Sequence, residues 1–119
     1  MMSYDQWLGK IVNAAQNIAS REFQEEAWFP GGKFVSSPIE VYECLMEDST
    51  PELFFEKYAK TFTESQMQCW SELKSQLQHY YDKLPNHPDP SRVLYGPEWD
   101  LVRQAAAGFV REFGQRATR

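Results

Sequence analysis

A long stretch without glycine or proline, residues 63–84, most constrains how this chain can fold. It opens with Thr63-Glu64-Ser65-Gln66, in which the Thr hydroxyl can cap the first turn while the Gln side chain reaches back, the pattern of a capping box. Apolar residues then recur at steps of three and four, as one helix face requires: Trp70, Leu73, Leu77, Tyr80 or Tyr81, and Leu84. The spacing predicts a helix about 30 Å long that ends before Pro85.

Capping residues and prolines mark where other helices begin. A capping signal at Ser3 predicts a first helix that runs to about Ser20. Residues 22–29 are then expected to form a short helix or to continue the first one after a bend. Prolines in a first helical turn, where the missing N–H costs nothing, predict further helices after Ser37 and after Thr50.

The C-terminal part of the chain ends in a helix that begins at Pro97. It follows a proline-rich connector, residues 85–97, with one helical turn at about 91–94. We expect Gly114 to end the last helix, because glycine relaxes the backbone. We expect its buried face to carry Trp99, Leu101, Val102, Ala105, Ala106, Phe109 and Phe113.

Length and composition fit one globular domain. The chain has 119 residues, of which 42% are hydrophobic and 15% aromatic, so there is ample apolar area to offset chain entropy. No stretch alternates apolar and polar residues between turn signals as a strand would. The prediction is an all-α single domain, residues 1–119, with five or six helices packed on the long helix at about 63–84.

The two cysteines and the N-terminus indicate a reducing compartment. Cys44 and Cys69 belong to no redox or metal motif and are predicted to be small buried apolar residues. The N-terminus lacks the basic and apolar regions of a signal peptide, and no apolar run reaches the roughly 20 residues that span a bilayer. We therefore expect a soluble cytoplasmic protein with no membrane partner.

All of the net acidity lies in residues 22–56. The whole chain has a net charge of −5, and this segment holds nine carboxylates against Lys33 alone. Two interpretations stay open: solvated outer faces of short helices, or a negative surface that attracts a basic protein partner. Direct nucleic-acid binding is not expected, because phosphate binding needs Lys and Arg on one face.

No pattern of side chains indicates catalysis, a metal or a cofactor. His79 has Asp82 three residues later, but a metal needs three or four ligands held together, so we expect an exposed helix residue. His87-Pro88-Asp89, between two helices, is similar to the tripeptide of J-domain cochaperones. The helix that precedes it offers only Lys74 and Lys83, whereas the J-domain helix is rich in basic residues.

Four short motifs are spread over most of the chain. They are residues 21–29 (REFQEEAWF), 36–40 (SSPIE), 45–48 (LMED) and 96–99 (GPEW). Over roughly residues 20–113, the chain resembles a family of small bacterial immunity proteins of contact-dependent growth inhibition and related polymorphic toxin systems. The family pattern favours two acids after the Leu-x pair, and Glu47-Asp48 fits it.

The resemblance implies a protein that binds the toxic C-terminal domain of a delivered effector, often a nuclease, and blocks it in the producing cell. A nuclease is cationic where it holds its substrate, so an inhibitor that covers that cleft is expected to be acidic. Charge clustering, with no family rule behind it, predicts the contact residues: Glu25, Glu26, Glu43, Glu47, Asp48, Glu52 and Glu56. Two other functions stay open: a helical adaptor or regulatory module whose acidic face recognises another cellular protein, and a J-domain-like cochaperone.

Overall fold

Helices make up most of the computed structural model of this protein, which describes residues 3–32 and 35–117. They are, in chain order, α1 (Tyr4–Ala19), α2 (Arg21–Ala27), α3 (Pro38–Glu43), α4 (Pro51–Tyr58), α5 (Glu64–Tyr81), α6 (Pro90–Leu94) and α7 (Pro97–Ala117). A π turn, Cys44–Asp48, continues α3, and a 3-10 turn, Ala59–Thr61, follows α4. The described residues contain no strand and form one globule, so the all-α prediction is confirmed.

Hydrogen bonds at the helix ends confirm the predicted starts. Ser3 and Thr63 each form a complete capping box, in which the hydroxyl accepts from the third helical amide and a glutamine side chain accepts from the cap amide. Ser37 caps α3 with its hydroxyl, and Asp89 caps α6 with its carboxylate. Each cap satisfies an amide that the helix itself leaves unpaired, which is worth about 1 kcal/mol.

The C-terminal helix α7 packs against both α1 and α5, and these are the two most extensive helix contacts in the molecule. α5 is the long helix predicted at about 63–84, and it buries Trp70, Leu73 and Leu77. α7 is longer, with 21 residues against 18. The long helix is therefore present as predicted. The C-terminal helix α7 packs on both this helix and the N-terminal helix α1.

Aromatic rings fill the centre of the molecule. The ring centroids of Phe55 in α4 and Trp70 in α5 lie 4.9 Å apart, and Trp70 lies 5.9 Å from Phe109 in α7. Phe109 stacks in turn on Phe113 at 4.5 Å. Because aromatic pairs at these distances gain attraction beyond the area they bury, this cluster holds α4, α5 and α7 in one core.

Two predictions about α7 are wrong. The helix continues through Gly114 to Ala117, because a glycine costs a helix only about 1 kcal/mol and position 114 packs close to Val12 of α1. Leu101, predicted to be buried, is 54% exposed. The buried residues of α7 recur at steps of three and four from Trp99 and Val102, and Leu101 falls outside that stripe.

The end of α5 and the burial of the cysteines also differ from the predictions. α5 ends at Tyr81, and the amides of Lys83 and Leu84 bond three residues back as the chain tightens into a turn. Cys44 and Cys69 are half-buried free thiols. Their partial burial is the first cause that raises the pKa of each thiol above its ordinary value.

Candidate partner-binding surface

Six carboxylates project from residues 38–58, and all six belong to exposed residues. The buried residues of this segment recur at helical spacing and are largely apolar: Pro38, Val41, Leu45, Ser49, Pro51, Phe54 and Phe55. The remaining positions are half-buried or exposed, and the exposed ones include Glu40, Glu43, Glu47, Asp48, Glu52 and Glu56. We refer to these six residues as the carboxylate face. Lys57 is the one basic residue of the segment.

Two side chains of α1 hold the π turn that carries the middle of the carboxylate face. The indole N–H of Trp7 donates to the backbone carbonyl of Ser49 at 2.7 Å, and the ammonium of Lys10 donates to the backbone carbonyl of Asp48 at 3.2 Å. The buried Ser49 hydroxyl donates to the carbonyl of Leu45 at 2.6 Å. These bonds satisfy carbonyls that a helix end leaves unpaired, and they fix where the turn presents its carboxylates.

Thr50 links the π turn to α4 through left-handed backbone, with φ at 44° and ψ at 56°. It is the one non-glycine residue with positive φ in the described part of the chain. This conformation costs an ordinary L-residue about 1–2 kcal/mol, and a β-branched residue seldom adopts it. Such strain persists where the surroundings hold the backbone in place, as the bonds to Ser49 do here.

The flank of the face toward α5 brings together acids that are distant in sequence. The rings of Tyr42 and Tyr81 pack with centroids 4.4 Å apart, and the Tyr81 hydroxyl donates to the carbonyl of Pro38. These contacts place the end of α5 beside α3. Burial raises the pKa of Tyr42, and three neighbouring carboxylates raise it further: Asp82, Glu47 and Glu52. Asp82 therefore extends the negative surface from a position 40 residues along the chain from Tyr42.

The flank toward α1 surrounds Cys44. After burial, the charges of three carboxylates raise the pKa of its thiol, those of Asp48, Glu40 and Glu43, whereas Lys10 lowers it. A shallow depression of about 460 Å³ opens here, lined by Lys10, Asn13, Ala14, Asn17, Cys44 and Asp48. Glu40 is not among the predicted contact residues, although its spacing of three from Glu43 places both on one side of α3.

Three lysines partly neutralise this surface. Lys74 of α5 forms an ion pair with Glu52, the ammonium of Lys57 lies 5.4 Å from the ring centroid of Tyr58, and Lys10 lies at the π turn. The surface stays negative, because with Asp82 it has seven carboxylates. Exposed ion pairs contribute about 0–1 kcal/mol, so Lys74 leaves Glu52 able to meet another cation. Lys33, the one base of residues 22–56, lies outside the described residues.

Glu25 and Glu26 lie on α2, which packs against α1 and α6. Both are exposed, and Glu25 forms an ion pair with Arg21 at 2.9 Å. The structure thus gives Glu25 a cation within its own helix. The other five predicted contact residues are exposed members of the segment 38–58: Glu43, Glu47, Asp48, Glu52 and Glu56.

No family model, curated protein or solved structure matches this chain. The surface is therefore interpreted from its own geometry and charge. Within the described residues, no helix combines the length and the apolar character needed to cross a membrane.

The two histidines lie on exposed positions, as expected for His79. Among the residues that the structure describes, no three His, Cys, Asp or Glu side chains are grouped so that they could hold a metal ion. In the His87-Pro88-Asp89 tripeptide, the carboxylate of Asp89 accepts from the amide of Ser91 at 2.9 Å. That carboxylate therefore serves as the cap of α6, which gives the tripeptide a role within the fold.

Proposed function

We propose that this protein is an immunity-type inhibitor, which binds a basic toxin domain and blocks it by covering a positive surface. The observation that carries the proposal is the carboxylate face, with six exposed acids and one lysine on residues 38–58. The resemblance of the four motifs to immunity proteins of contact-dependent growth inhibition systems favours the same class. The partner would be the toxic C-terminal domain of a delivered effector, of the nuclease type.

Charge and rigidity both suit a protein that acts by covering its partner. Carboxylates on one face attract a cationic domain and raise its rate of encounter, with little effect on partners that lack positive charge. The face is carried on helices fixed by buried contacts, so little conformational entropy is lost when it binds. A stable one-to-one block buries about 1,600 Å² in total, and no chemical step by this protein is needed.

Co-expression with the product of the gene immediately upstream tests this function. The polypeptide encoded immediately upstream is induced in a bacterial host with and without this protein, and growth is followed. We expect growth arrest from the upstream polypeptide alone and recovery when this protein is present. An adaptor with the same acidic face would bind its partner without relieving any toxicity, so the growth readout separates the two functions.

A charge-matched pair of variants tests whether the carboxylate face is responsible. In the first variant, four glutamates of the face become glutamine: Glu43, Glu47, Glu52 and Glu56. In the control variant, four exposed glutamates of α5 and α7 become glutamine: Glu64, Glu72, Glu98 and Glu112. Both variants have the same net charge, so weaker protection in the first alone supports the proposal. Equal protection by both contradicts it.

A further inference from the structure

An open groove lies between α1 and α4, next to the carboxylate face. Its volume is about 550 Å³, and it is lined by Trp7, Leu53, Glu56 and Lys57. Leu53 is 60% exposed, which makes it one of a few large apolar side chains that face solvent. Single exposed leucines are ordinary on protein surfaces, so the surroundings of Leu53 decide what this one can do.

Leu53 stands on the side of α4 that faces away from the core. Phe54 and Phe55 bury their rings, while Glu52 and Glu56 lie on the exposed side with Leu53 between them in sequence. Side chains three and four residues apart are neighbours on a helix, so Leu53 lies beside Glu56 and Lys57. Glu56 connects it to the carboxylate face.

Trp7 gives the groove an ordered aromatic wall. Its indole N–H is bonded to the carbonyl of Ser49, and its ring packs edge-on against Phe54 at 5.3 Å. These two contacts fix the ring orientation, and the side chain remains only half-buried. An apolar group that entered the groove would meet a rigid ring, which costs little entropy to order.

We propose that this groove receives one apolar side chain of the basic partner, an aliphatic or aromatic residue with Lys or Arg beside it. The proposal rests on the proposed function and specifies the centre of that interface. Protein interfaces combine an apolar centre with a polar rim, and their affinity is concentrated in a few well-packed anchors. Trp7 and Leu53 would form the centre here, and the carboxylates of the face would form the rim.

The negative charge of the carboxylate face favours a basic partner over the other molecules that could fill an apolar groove. A second copy of this chain would bring two carboxylate faces together, and like charges across an interface oppose binding. An anionic lipid surface is disfavoured for the same reason. Lys57 also lines the groove, with its ammonium over the ring of Tyr58, and Lys74 pairs with Glu52. The negative charge near the groove therefore comes from the carboxylate face as a whole, whose six acids outnumber these two lysines.

The groove and the carboxylate face should affect different steps of binding. Long-range charge mainly sets the rate of association, which falls as salt screens the field. A buried apolar contact mainly sets the rate of dissociation and responds little to salt. Kinetic measurements can therefore separate the anchor from the acidic face.

The test measures binding of the upstream toxin domain, made inactive by substitution, to the full-length protein by surface plasmon resonance. Leu53→Ala is compared with Leu101→Ala, which truncates a leucine of similar exposure, 54%, on α7. We expect Leu53→Ala to raise Kd about tenfold through faster dissociation, with the salt dependence of association unchanged. Leu53→Met should keep the wild-type Kd, because it preserves an apolar side chain of similar volume.

Each result has a defined consequence. If Leu53→Ala and Leu101→Ala both bind like the wild type while association stays salt-dependent, the anchor is excluded and the proposed function stands. If the wild-type protein does not bind or protect against the upstream domain, the proposed function fails, and the anchor fails with it. Matching thermal unfolding of the two alanine variants confirms that the comparison reports on binding.

Discussion

The indole N–H of Trp99 in α7 donates to the side-chain oxygen of Gln24 in α2 at 2.9 Å, and both side chains are fully buried. The side-chain nitrogen of Gln24 donates to the backbone carbonyls of Asn17 and Ile18 at 2.9 and 2.7 Å, where α1 ends. One side chain thus pairs with three polar groups, two of them in fully buried bonds, and joins α1, α2 and α7. A buried amide is tolerated in the core because its partners are in place.

Replacing Gln24 by leucine should destabilise the fold strongly. The variant keeps the volume but leaves the Trp99 N–H and two carbonyls without their partner, and each such group costs about 1–3 kcal/mol. We expect the free energy of unfolding in urea to fall by about 3 kcal/mol or more. Gln68→Leu, at an exposed position of α5, should stay within about 0.5 kcal/mol of the wild type. Equal stability of the two variants would show that the buried amide contributes nothing.

Replacing Thr50 by asparagine should stabilise the protein. Asparagine adopts the left-handed conformation of this position more readily than a β-branched residue does, so the variant relieves part of the strain. We expect a gain of about 0.5–1 kcal/mol in the free energy of unfolding. Thr63→Asn is the control, because Thr63 has extended backbone as the cap of α5 and asparagine caps helices equally well. A loss of stability in Thr50→Asn would show that the left-handed backbone at Thr50 does not strain the wild-type protein.

Stability should decline in alkaline solution, and Tyr81 should account for part of the decline. Burial, and then Tyr80 and Tyr42, raise the pKa of Tyr81 far above its ordinary value. The folded protein therefore keeps a proton that the unfolded chain loses near pH 10. Since the folded state then binds more protons, stability is intact below about pH 10 and falls above it, by up to about 1.4 kcal/mol per pH unit for one group.

Urea unfolding between pH 8 and pH 12 tests this titration. Tyr81→Phe should show a shallower alkaline decline than the wild type. Tyr95→Phe, at a position that is 62% exposed, should keep the wild-type decline. If Tyr81→Phe follows the wild-type curve, the titration of other groups causes the alkaline loss of stability.

Removing charge from the carboxylate face should slow association with the proposed basic partner. With glutamine at Glu43, Glu47, Glu52 and Glu56, we expect the association rate at low salt to fall about tenfold. The difference should vanish near 1 M salt, where the Debye length is about 3 Å. The control with glutamine on α5 and α7 carries the same net charge and should associate like the wild type. Stopped-flow mixing over a range of salt concentrations measures both rates.

Local chemistry made the helices predictable. The caps at Ser3, Ser37 and Thr63 depend on a hydroxyl and an amide three residues apart, and proline at Pro97 fits a first helical turn. Such signals are complete within four residues of sequence, so a single sequence is enough to read them. The all-α class and the place of the long helix follow from these signals.

Tertiary packing decided what the sequence could not predict. Gly114 continues α7 because that turn packs on α1, and Leu101 is exposed because the buried stripe of α7 starts from Trp99 and Val102. The clustering of acids along residues 38–58 could be predicted from the sequence. Asp82 joins them through the packing of Tyr81 on Tyr42, a tertiary contact that the sequence does not indicate.

The hydrogen bond from Trp7 to Ser49 ties the shape of the π turn to α1 and leaves the outward residues of α4 out of that bond. Leu53, Glu56 and Lys57 can therefore be exchanged while the scaffold beneath them stays folded. Under the proposed function, architecture and partner choice would be encoded by different side chains of one short region. Single-codon changes on α4 would then alter the contacts with a partner while the bonds that hold the π turn stay in place.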